Sequence, residues 1–124
     1  MSFRNLIVYQ KAFELSMEIF ELTKSFPVEE RYALTNQLRR SSRSVCRAIG
    51  EGYRKRQYPD YFTNKMSDAD MENTETQISL DFAESCKYLS AEINLKLRYK
   101  SEEIGRLLNH MMKYPEKYQR KTGK

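Results

Sequence analysis

The stretch RYALTNQLRRSSRSVCRAIGEGYRKR, residues 31–56, decides the architecture. From Arg39 to Arg56 it holds seven Arg or Lys and one acid, Glu51. On a helical wheel of about 100° per residue, Arg40, Arg43 and Arg47 fall within about 100° of each other. Leu34, Leu38, Val45 and Ile49 gather in an arc centred on the opposite side. One face of this helix must therefore enter a core while the other, rich in arginine, faces away from it. Arg54, Lys55 and Arg56 carry the charge onward into the segment YRKRQYP.

Working outward, the same helical period continues on both sides. A first helix is expected from about Asn5 to Ser25, with Leu6, Phe13 and Phe20, and Val8, Leu15 and Leu22, making a broad apolar stripe beside Ala12, Ile19 and Phe26. Pro27 cannot continue it. The second helix, built on the opening stretch, is expected from about Glu29 to Glu51. Glu29 and Glu30 suit the positive end of its dipole, and Gly52 reads as a left-handed stop. A third begins near Pro59 and Asp60 and is expected to reach about Leu89. A fourth starts with Ser90 as N-cap, carries Ile93, Leu97, Ile104, Leu108 and Met111 on one face, and ends at Pro115. The remainder, residues 115–124, reads as a basic, frayed tail beyond a bundle domain of residues 1–114.

Composition agrees with a few long helices. Four Gly and three Pro in 124 residues leave little punctuation for regularly spaced strands. Nine Tyr, six Phe and an apolar fraction of 40% support one hydrophobic core. The expectation is an all-α, antiparallel up-down-up-down four-helix bundle.

The third helix carries two apolar stripes. Phe62, Met66, Ala69, Thr76, Leu80 and Ala83 form one. Met71, Ile78, Phe82 and Leu89 form a second, roughly opposite. One stripe satisfies a lone bundle, so the second is assigned to self-association, the alternative being a third helix that is central or longer than its neighbours.

A net charge of +5 and a pI near 9.2 permit a polyanionic partner without requiring one. The candidate contacts are Arg39, Arg40, Arg43, Arg47, Arg54, Lys55 and Arg56. Clustered arginines repel each other, and guanidinium forks match phosphate. Two readings stand: a surface for RNA or DNA, or ion pairing with the acids of the third helix, Asp68, Asp70, Glu72, Glu75, Asp81 and Glu84. Of the neighbouring aromatics, Tyr32 and Tyr61 are expected to pack, and Tyr53 and Tyr58 to lie open in the loop. No zinc-finger spacing, RNP pair or GxxG loop accompanies them.

Catalytic signals are weak. His110 is the sole histidine and reads as a helix-surface residue. Ser41, Ser42 and Ser44 have no base at a readable spacing, and AIGEGYRK lacks the phosphate-loop Lys-Ser/Thr. Asp68, Asp70 and Glu72 splay over different helix faces. Neither a metal nor a cofactor is expected, nor an enzymatic activity. Cys46 and Cys86 lack CxxC spacing and read as reduced, buried thiols. No signal peptide is recognised, no run approaches a membrane span, and the expected location is cytoplasmic with no membrane partner.

The blocks NLIVYQKAFEL, SFPVEERYALTNQLRRSSRSV, IGEGYRK, TETQ, YLS and EEIGRLLN follow in that order. Over about Asn5 to Met112 the chain resembles the four-helix-bundle protein family encoded in intervening sequences of bacterial 23S ribosomal RNA genes. FPVEERYALTNQLRRS, with Arg39 and Arg40, and the pair Glu51-Gly52 carry the most specific likeness. The resemblance implies a small cytosolic bundle assembled as a homopentamer, with no established catalysis or cofactor. It is also similar to the basic pentameric accessory protein of diversity-generating retroelements, which implies nucleic acid, or a protein such as a polymerase or reverse transcriptase, as partner. The chain departs from the family's pattern at Asn73, where an acid is usual, and at Gly50, where IAEG is usual.

Overall fold

The computed structural model describes residues 2–119. Four helices make up the fold: α1 (Ile7–Thr23), α2 (Leu34–Arg54), α3 (Pro59–Ser85) and α4 (Ala91–Lys113). Single 3-10 turns lie at Phe3–Asn5, Val28–Glu30 and Pro115–Tyr118.

Pairs of side chains fix the direction of each helix. Thr23 meets Arg39 and Ser16 meets Ser42, so α1 and α2 run antiparallel. Glu51 meets Lys65 and Ser41 meets Thr76, which sets α2 against α3. Asn94 reaches Asp81 and Glu84 while Ser101 meets Asn73, reversing α4 on α3. Lys11 pairs with Glu103 and Glu18 with Lys100, closing the ring from α1 to α4. The topology is up-down-up-down.

The core contains the expected stripes. Leu34, Leu38, Val45 and Ile49 of α2 are buried, as are Phe62, Met66, Ala69, Thr76, Leu80 and Ala83 of α3. From α1 come Val8, Ala12, Leu15 and Ile19, and from α4 Leu97, Ile104, Leu108 and Met111. Phe13 and Ile93 depart from their assigned stripes and are exposed, on α1 and at the start of α4. A polar layer crosses the core, with Ser41 Oγ and Thr76 Oγ1 2.8 Å apart. Asn73 donates to the Ser101 carbonyl at 2.8 Å and accepts from the Ser101 hydroxyl at 2.8 Å. Position 73 therefore holds a neutral amide that uses both of its polar atoms.

Several boundaries differ from expectation for identifiable reasons. Glu30 lies in the 3-10 turn before α2 and caps it from outside, accepting the Leu34 N–H at 3.2 Å. Gly52 does not stop α2; it lies buried within the helix where α3 crosses. A Cβ there would stand 2.6 Å from Met66 Cε and 2.8 Å from Lys65 Cβ, so close approach of the two helices requires the glycine. Helix α3 stops at Ser85 because Lys87 takes a left-handed conformation (φ 65°). The Tyr88 N–H bonds the Ala83 carbonyl and the Lys87 N–H the Glu84 carbonyl, which is the Schellman pattern.

That turn carries Leu89 back into the core, where it is 7% exposed. Leu89 is therefore not part of the outer stripe of α3. The segment after α4 is also tied down in part. Tyr118 stacks on buried Phe62, with ring centroids 5.9 Å apart, and its hydroxyl lies 2.9 Å from His110 Nδ1. Residues 120–124 of the expected frayed tail lie outside the described residues.

Candidate nucleic-acid interface

Helix α2 separates its arginines into two groups. Arg40, Arg43, Arg47 and Arg54 recur at intervals of three, four and seven, which keeps them on one outer face, and all four are exposed. None of them approaches a carboxylate within 4.0 Å among the described residues; the salt bridges there are all made by lysines. Lys55, at the C-cap, is exposed beside them.

The second group is occupied. Arg39 is half-buried against α1, donating Nε to Thr23 Oγ1 at 2.9 Å and lying over the Phe20 ring at 4.7 Å. Arg56 folds back, donating to the Tyr53 carbonyl at 2.9 Å with its guanidinium 4.0 Å from the Tyr53 ring centre. Both are packing residues as well as charges.

The two flanks of the arginine row differ. On the α3 side, Arg40 shares a groove of about 410 Å³ with Glu72, Glu75 and Ile78. Burial, reinforced by the like charges of Glu75 and Asp68, holds the Glu72 carboxyl above its usual range against the pull of Arg40. On the α1 side aromatic rings predominate, with Glu51 the one acid in the cleft there. Phe20 lies under Arg39 and, at 5.7 Å, under Arg43. Phe3 and Tyr9 share a cleft of about 480 Å³ with Arg47 and Arg54. Two acids of α1, Glu14 and Glu18, face α4, where they pair with Lys100.

These aromatic neighbours differ from those expected. Tyr53 is buried rather than open, and Tyr32 is 87% exposed rather than packed. Phe3, Tyr9 and Phe20 are the rings that meet the row, and Phe13 lies beside Tyr9. The spacing of four and seven from Tyr9 to Phe13 to Phe20 on α1 is the available signal, but Phe13 and Phe20 also fit the core stripe.

The outer face of α3 leaves Met71, Ile78 and Phe82 at 59%, 51% and 61% exposure. Among the described residues, no group of three or more His, Cys, Asp or Glu side chains converges as for a metal ion, and no helix is long and apolar enough to cross a membrane. Cys46 is buried and its thiol is pushed up to about 11 by desolvation, whereas Cys86 is exposed, contrary to expectation.

The family model of the 23S rRNA-intervening sequence protein matches residues 4–110. The chain belongs to this family. A similar solved structure is that of a protein of unknown function from the S23 ribosomal protein family of Bacteroides thetaiotaomicron VPI-5482. It is 28% identical, with a TM-score of 0.77 over 86% of this chain and 99% of that one. Comparison with curated proteins finds no match.

Proposed function

We propose that the protein is a non-enzymatic, self-associating cytoplasmic bundle that binds RNA or DNA through α2. The observation that carries the reading is the exposed row Arg40, Arg43, Arg47 and Arg54, none of which comes within 4.0 Å of a carboxylate among the described residues. Four guanidinium groups on one helix face repel each other, and phosphates relieve that repulsion through charge-assisted bonds. Contacts of this kind follow the backbone, so binding is largely independent of sequence and steeply dependent on salt. Self-association draws on the exposed stripe Met71, Ile78 and Phe82.

The groove shared by Arg40, Glu72 and Glu75 supports a second reading, in which the arginines meet acids of a neighbouring copy or of a protein partner. One double variant separates the two. Arg43→Glu with Arg47→Glu abolishes binding to a short structured RNA and leaves the oligomer mass unchanged if the row holds phosphate. A fall in mass by light scattering, with RNA binding retained, assigns the row to assembly.

A further inference from the structure

The two flanks of the arginine row offer different chemistry, and the α1 flank is built for more than phosphate. Arg47 and Arg54 stand two turns apart on α2, about 10 Å along its axis, and bracket a cleft of about 480 Å³. That volume lies within the range of small-molecule sites, about 300–1,000 Å³. Gly50, between them in sequence, keeps the floor flat: a Cβ there would already touch the Phe3 ring at 3.4 Å. Phe3 forms a fixed wall, with Arg4 over its face at 4.5 Å and Tyr9 set edge-on at 5.0 Å. Tyr9 is half-buried and tilts 33° from the exposed ring of Phe13, 6.1 Å away. The one acid in the cleft, Glu51, is offset by Lys65 at 3.0 Å.

An aromatic surface beside paired cations fits a planar group joined to phosphate. In a duplex the base faces are stacked against each other and cannot enter such a cleft, whereas in single strands and loops they are free. We infer that the α1–α2 cleft receives one unpaired base on Tyr9, beside which Phe13 extends the aromatic surface outside the cleft, with Arg47 and Arg54 on the adjoining phosphates, so that the ligand is single-stranded or looped nucleic acid rather than duplex. This inference rests on the phosphate-binding reading of α2 and narrows its ligand.

The test measures affinity, at matched salt, for an oligouridine of about 12 nucleotides and for a duplex of equal length. The whole protein is compared with Tyr9→Leu and Phe13→Leu, with helicity and oligomer mass recorded for each. The expected result is a preference of about tenfold or more for the single strand, lost in Tyr9→Leu with the salt slope and duplex affinity unchanged. A strand carrying 5-iodouridine should cross-link to Tyr9 or Phe13. Should Tyr9→Leu fail to fold, exposed Phe13 carries the same test. Equal affinity for both ligands with no effect of either variant overturns the cleft and leaves the arginine reading in place. Failure to bind either ligand at low salt overturns both. A change in oligomer mass with binding intact makes these rings a subunit contact and also overturns the proposal.

Discussion

The ring of Phe20 lies beneath the guanidinium of Arg39, 4.7 Å away, while the Arg39 Nε–H is donated to Thr23 at 2.9 Å. One arginine thus joins the end of α1 to the start of α2. Arg39→Ala loses a cation–π contact, a hydrogen bond and the apolar cover over Phe20. The expected cost is about 1–2 kcal/mol in thermal or denaturant unfolding. Nucleic-acid affinity should fall less in Arg39→Ala than in Arg47→Ala, because Arg47 has no comparable internal contact.

Two glycines of α2, two residues apart, should respond differently to alanine. Gly52→Ala places a Cβ 2.8 Å from Lys65 Cβ, an atom close to the α3 backbone that cannot swing away. The expected loss is about 1–3 kcal/mol. Gly50→Ala meets only the edge of Phe3 at 3.4 Å and gains helix propensity, so stability should be unchanged or rise by up to about 1 kcal/mol. Melting curves of both variants check the pair.

Glu72 supplies a pH-dependent prediction. Burial and the charges of Glu75 and Asp68 raise its pKa, and Arg40 opposes them. A carboxyl raised in the folded state weakens the fold above its folded pKa, and that loss is relieved as pH falls through it. Arg40→Gln removes the opposing attraction and raises the group further. The variant should be less stable than the parent at pH 7, and the gap should narrow as pH falls through the carboxylate range, to about pH 4. Relief of repulsion between arginines does not vary over that range, so an equal gap at both ends would contradict the account.

The outer stripe of α3 predicts assembly. Ile78→Asp with Phe82→Asp alters two exposed side chains and leaves the core untouched. The mass by light scattering should fall to that of one chain while helicity is retained. An unchanged mass would remove the stripe from the interface.

Much of this arrangement was legible in the sequence because its signals are local and periodic. The buried and exposed sides of α2 follow from a wheel, as does the inner stripe of α3. What escaped depends on where a neighbouring helix lies. A wheel places Arg39 and Arg40 100° apart, but it does not say that α1 covers one and leaves the other open. Glycine serves both as a helix stop and as a point of close crossing, so Gly52 was ambiguous without α3. Helix α3 ends on a lysine in a left-handed conformation, which has no compositional signature, and Leu89 was misplaced as a result. The aromatic flank of the candidate site was missed because Phe3 lies in the turn before α1 and Tyr9 at the edge of the α1 stripe, where core and surface share one periodicity.

The central claim is that the row from Arg40 to Arg54 binds phosphate. The most direct measurement is the affinity of the purified protein for a short structured RNA over a salt series, beside that of the variant carrying Arg43→Glu and Arg47→Glu. The account predicts a log–log slope of several units for the parent, about one per phosphate contacted, and loss of binding in a variant of unchanged mass. No binding by the parent at low salt, or equal slopes for parent and variant, would contradict it.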